Sequence, residues 1–89
     1  MTQRRTRMDI ISDMLASIRN KGGKIKPTHL MYKANLSHKL LNTYLDDLVA
    51  KELVKEIEGK YKYLVITEKG YEFLEQFDKM RKFQETFGL

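Results

Sequence analysis

The chain has 89 residues, 42% of them hydrophobic and 33% charged, with no cysteine and a formal net charge of +5. That length holds one compact domain and leaves little chain to line a deep substrate cleft, while the lack of thiols excludes disulfide frameworks, thiolate nucleophiles, zinc fingers and iron-sulfur sites. No apolar run approaches the roughly 20 residues needed to cross a bilayer. Asp9 and Asp13 also interrupt the N-terminal segment where a secretory signal would be apolar, so a cytoplasmic protein without a membrane partner is expected.

The charge is lopsided. Residues 1–44 hold nine Lys or Arg against two acids, net +7, and the remainder holds eight against ten, net −2. Attraction to a polyanion follows local positive density, so a phosphate-seeking surface is expected from the first half. A merely solvated basic surface would have the same composition.

Residues 1–6 read as a basic tail. From Arg7 to Asn20, apolar residues at Met8, Ile11, Met14, Leu15 and Ile18 form one helical stripe, and Asn20-Lys21-Gly22-Gly23 ends it. Lys24-Ile25-Lys26 alternates like a very short strand. Pro27 suits a first helical turn, predicting a second helix to about Lys33. Ser37 is an N-cap for a third helix ending near Lys51, with Leu40, Tyr44, Leu45 and Leu48 as its inward stripe and Leu41 open between core and a base contact. Two helices joined by so short a connection form a helix-turn-helix. Leu53 to Glu58 and Tyr61 to Ile66 flank Gly59-Lys60 and read as a hairpin. Thr67, followed by Glu68, caps a fourth helix running to about Phe87, with Gly70 in its first turn. The order predicts an α+β, mainly helical fold: a winged helix-turn-helix over residues 7–66 and a C-terminal dimerisation helix within residues 67–89.

The stretch from Ile25 to Leu74 is also familiar as sequence. The segments KIKPTHLMYKANLSHKLLNTYLDDLVAKELV and YLVITEKGYEFL, above all MYKANLS at the helix 2 to helix 3 turn and ITEKG leading into helix 4, resemble the archaeal winged-helix DNA-binding family that includes the small ten-kilodalton dimeric chromatin proteins. The resemblance implies a winged-helix fold, DNA binding, and dimerisation through the C-terminal helix.

A recognition helix enters the major groove with its N-terminal residues foremost, which selects Ser37, His38, Lys39, Asn42 and Thr43. Asn42 can pair bidentately with adenine, Lys39 can donate to guanine or phosphate, and Thr43 can meet a thymine methyl or a phosphate. Asp46 and Asp47 repel phosphates, so the C-terminal half of the helix is expected to lean away from the duplex. Lys26, Thr28, His29 and Lys33 surround the start of helix 2 as phosphate candidates, although His29 fits a half-buried surface residue at least as well. Lys60 and Lys62 would bring cations to the backbone as the wing, diluted by Glu56 and Glu58. Arg4, Arg5 and Arg7 would track phosphates or enter the minor groove as an arm, or remain flexible surface charge. On helix 4, Phe73, Phe77, Met80, Phe83 and Phe87 exceed what one short helix hides on a small domain and mark a dimer interface. Packing on helix 1 accounts for Phe73 and Phe77 alone.

Catalysis has no support in two lone histidines, no cysteine, no glycine-rich phosphate loop and no metal-ligand spacing. No enzyme activity, cofactor, metal or small-molecule substrate is expected. The expected partner is double-stranded DNA, bound by a homodimer acting as a transcriptional regulator or as a nucleoid-associated protein. The alternative is a protein-interaction winged helix that does not touch DNA. Single-stranded RNA is disfavoured because Tyr61 and Tyr63 are the only aromatics placed for stacking.

Overall fold

A computed structural model describes residues 5–89. Its elements are α1 (Arg7–Asn20), β1 (Lys24–Ile25), α2 (Pro27–Lys33), α3 (His38–Ala50), β2 (Val54–Glu58), β3 (Lys62–Ile66) and α4 (Glu68–Phe87). This is the mainly helical winged helix-turn-helix that the sequence predicts.

A capping box starts α1. Thr6 Oγ1 accepts from the Asp9 amide, and the Asp9 carboxylate accepts from the Thr6 amide. Those hydrogen bonds stabilise the ionised form and hold the Asp9 carboxyl below its ordinary range. At the other end Gly22 and Gly23 take φ of +80° and +89°, a region where a β-carbon is strained. Their amides donate to the Arg19 and Ile18 carbonyls, which stops the helix and turns the chain into β1.

The three strands are antiparallel in the order β1-β3-β2, with Ile25 opposite Leu64, Val54 opposite Ile66 and Glu58 opposite Lys62. The last pairing leaves Gly59, Lys60 and Tyr61 as the connection, one residue longer than the sequence suggests. Ile25, Val54, Leu64 and Ile66 share the inner face and are buried together with Met14, Leu15 and Ile18 of α1, Leu30 of α2 and Leu48 of α3. Each such side chain contributes about 1.5–3 kcal/mol relative to exposure, and this single cluster is what positions α3.

Two expectations need correction. The buried stripe of α3 is Leu41, Leu45 and Leu48, with Tyr44 half-buried, whereas Leu40 is 44% exposed. Neighbouring residues stand about 100° apart around a helix, so seating Leu41 in the core turns Leu40 outward. On α4, Phe77 is only 7% exposed and Phe73 packs half-buried against the core, their rings stacked at 6.0 Å between centroids. Both rings are thus largely covered within the protomer. Beyond Phe77 every residue of the chain is exposed, and the molecule, α4 included, has principal extents of 48 × 30 × 22 Å.

A dense corner fixes the start of α4. Thr67 Oγ1 accepts from the Gly70 amide at 3.0 Å and donates to the Glu52 carbonyl at 2.7 Å, while the Thr67 amide donates to the Leu53 carbonyl at 3.2 Å. Lys69 Nζ adds a bond to the Lys51 carbonyl at 2.9 Å.

Candidate nucleic-acid interface

One face of the first two turns of α3 stands in solvent. Ser37 Oγ accepts from the Leu40 amide at 3.2 Å, so its side chain builds the helix as an N-cap. His38, Lys39, Asn42 and Thr43 are all exposed. Asn42 Nδ2 lies 3.4 Å from His38 Nδ1, a long contact that leaves the amide nearly free. The Thr43 hydroxyl donates back to the Lys39 carbonyl at 3.0 Å, which occupies its proton. Lys39 has no ion-pair partner among the described residues. Leu40 joins this face as its apolar member, which periodicity alone placed on the wrong side.

Further along α3 one of the two acids is held by the protein itself. Asp47 bonds both Lys51, one turn on, and Arg7 of α1, and the Lys51 hydrogen bond foremost holds its carboxyl below the ordinary value of 3.8. A carboxyl with a lowered folded-state pKa stabilises the fold above its unfolded value and loses that contribution as pH falls through the folded one. Thermal midpoints measured across the acid limb are therefore expected to decline less for Asp47→Asn than for the wild type, starting near pH 3.8 and continuing below it. Parallel limbs would mean that the fork carries no stability.

The arginines of the N-terminal segment are also engaged. Arg5 donates to Asp13 at 3.1 Å and to the carbonyls of Ala34 and Asn35 at 2.7 and 2.9 Å, satisfying the end of α2, where Asn35 takes a φ of +54°. With Arg7 on Asp47, both guanidiniums bind their own domain, in place of the free arm expected of them. Arg4 lies outside the described residues.

The candidates around α2 separate into two places. Thr28 is exposed, and His29 and Lys33 line a shallow cleft with Ser17, Asn20 and Lys21 at the end of α1. Lys26 instead turns toward the wing, its Nζ 4.4 Å from the centroid of the Tyr61 ring. Lys60 sits 5.8 Å from the same ring, and Lys24 lies 4.5 Å from the Tyr63 ring. Lys62 is ion-paired with Glu56, which raises its pKa. Lys24 is a member that sequence reasoning missed, because nothing in the sequence told which strand β1 would join.

Among the described residues no three His, Cys, Asp or Glu side chains are grouped to hold a metal ion, and no helix is long and apolar enough to cross a membrane.

Comparison with known proteins follows the same geometry. Sso10a-2, a DNA-binding protein from Sulfolobus solfataricus, superposes with a TM-score of 0.79 at 30% identity, over 93% of this chain and 85% of that one. MarR from E. coli superposes with a TM-score of 0.69 at 26% identity, over 76% of this chain and 50% of that one. The winged-helix protein F93 from STIV, with a TM-score of 0.76 at 21% identity over 89% of this chain and 92% of its own, shares the fold. An uncharacterized protein of Methanocaldococcus jannaschii is 31% identical over 77 residues, which are 86% of this chain and only 34% of that relative, so the chain spans about a third of its length. Residues 4–85 match the family described as winged helix-turn-helix, and this chain belongs to that family.

Proposed function

We propose that this protein binds double-stranded DNA as a homodimer, with the N-terminal half of α3 in the major groove, and works in the cytoplasm as a regulator or nucleoid-associated protein. The observation that carries the reading is the free first half of α3, where His38, Lys39, Leu40, Asn42 and Thr43 all face solvent while Asp47 on the same helix is tied to Arg7 and Lys51. The likeness to Sso10a-2, itself a DNA-binding protein, supports it.

The dimer rests on α4. The ten helical residues beyond Phe77 are all exposed on the protomer, so little of the packing that stabilises helices in proteins acts on this end of α4. Its exposed Met80, Phe83 and Phe87, with Met8 of α1 beside Met80 in one cleft, form the apolar strip that a second copy would cover. In this arrangement residues 7–66 read DNA, and α4 both completes the core and joins the protomers.

Lys39→Ala and Asn42→Ala are each expected to weaken duplex binding by about fivefold to a hundredfold, in line with 1–3 kcal/mol per base contact, with unchanged thermal midpoints because both side chains are exposed. Wild-type affinity in both would remove α3 as the reader. Affinity for a selected sequence measured against random duplex then separates a site-specific regulator, with a large ratio, from a coating protein, with a ratio near one. A wild-type protein with no affinity for duplex at low salt would instead fit the protein-interaction module.

A further inference from the structure

The pleat of the sheet sorts its charges. Side chains alternate between faces along a strand, and on β3 the residues Lys62, Leu64 and Ile66 point inward with Val54, Glu56 and Glu58 of β2, to which they are paired in register. Tyr63 and Val65 point the other way, and Lys24 stands opposite Val65. The acids of the hairpin thus share the inner side with Lys62, which Glu56 neutralises. The outer side carries Lys24 and Lys55, and the ammonium groups of Lys24 and, just beyond the strands, of Lys26 and Lys60 each lie over a tyrosine ring at 4.4 to 5.8 Å.

We propose that Tyr61 is a positioning residue, holding Lys26 from the β1–α2 junction and Lys60 from the wing on one ring, with Lys24 on Tyr63 beside them, as a preset row of cations for consecutive backbone phosphates of duplex DNA. The proposal rests on the reading that the protein binds duplex DNA, and it moves the wing's phosphate contact from Lys62 to the outer face of the sheet. A ring attracts an ammonium group through its quadrupole and leaves it charged. The N–H groups turned away from the ring stay free to donate to phosphate oxygens. A lysine held this way has already given up part of the rotamer freedom that a solvated lysine loses on binding. Tyr61 is 53% exposed, so one side of its ring carries no structural duty in the core.

The test has two parts, both on the full chain. In the free protein, ring currents should move the ε-methylene protons of Lys26 upfield in the NMR spectrum, a displacement kept by Tyr61→Phe and lost in Tyr61→Leu. Its absence in the wild type would overturn the arrangement. Binding is then read on a mixed-sequence duplex across a salt series. Lys26→Ala and Lys60→Ala are each expected to reduce the salt slope by about 0.9, one phosphate's worth. Tyr61→Leu is expected to weaken binding about fivefold, the scale of exposed cation–π contacts, and Tyr61→Phe to stay within about twofold of wild type by the same scale. In a Lys26→Ala background the Tyr61→Leu effect should largely disappear. Unchanged slopes, or Tyr61→Phe and Tyr61→Leu equally weak, would sink the positioning role while wild-type binding stands. A wild type that fails to bind duplex would instead remove the underlying reading together with this one.

Discussion

Replacing Phe83 and Phe87 together with glutamate is expected to yield a folded monomer whose affinity for a two-half-site duplex falls about a hundredfold or more, the scale set by losing the second, linked contact. The two rings are tilted together at 4.9 Å between centroids and are 59% and 64% exposed on the protomer. Each would contribute about 1.5–3 kcal/mol when covered by a partner, and a carboxylate forced into the same position costs more than the ring supplied. The domain itself should keep its thermal midpoint at low protein concentration, since neither ring touches the core. The outer flank of α4 keeps its Glu75–Lys79 and Asp78–Lys82 pairs, both at 3.4 Å and worth a few tenths of a kcal/mol each to the helix. Sedimentation of the variant as a dimer would remove this end of α4 as the interface.

The largest effect on folding is expected at Gly70. A β-carbon there would lie 2.5 Å from the Leu53 carbonyl oxygen and 2.6 Å from Ile66 Cγ1. A flexible side chain could swing away from the first contact, but a backbone oxygen cannot. That same carbonyl accepts from the Thr67 amide, so moving it also opens the corner. Gly70→Ala is therefore expected to destabilise by about 3 kcal/mol, at the upper end for overpacking, and to lower the thermal midpoint by roughly 12–24 °C at this chain length. A midpoint at or above the wild-type value, as a helix-propensity gain alone would give, would show that the corner yields.

How much of this was legible in the sequence depends on the range of the interaction responsible. The helices were readable because their stripes and caps are local. Ser37 and Thr67 each sit one residue before the helix that they cap, and Gly22-Gly23 stops α1 where expected. The inward face of α3 was misjudged by one position, since Leu40 and Leu41 fit a helical stripe equally well and only the packing of α3 on the sheet decides between them. Gly70 looked like a tolerated first-turn glycine because its constraint comes from Leu53, distant in sequence. Among candidate site residues, the exposure of Lys39, Asn42 and Thr43 on α3 followed from helix geometry alone. The intramolecular partners of Arg5, Arg7 and Lys62 were not legible for one shared reason: Asp13 with two carbonyls, Asp47 and Glu56 are brought to them by the fold. The place of Lys24 over the Tyr63 ring escaped notice because only the pairing of β1 with β3 puts them on one face.

The corner at Thr67 has a mechanical consequence. Lys51, Glu52 and Leu53, the residues that leave α3, are the ones whose carbonyls grip the first turn of α4, so the direction of α4 is dictated by the end of α3. A rod of 20 residues is about 30 Å long, and a tilt of a few degrees at its root travels to the far tip as a displacement of ångströms. In the proposed dimer, two copies joined along such rods would behave as a caliper of set gauge. Duplexes whose half-sites lie a whole number of helical turns apart, about 10–10.5 base pairs each, fit the jaws, and inserting half a turn carries the second half-site round to the far side of the duplex.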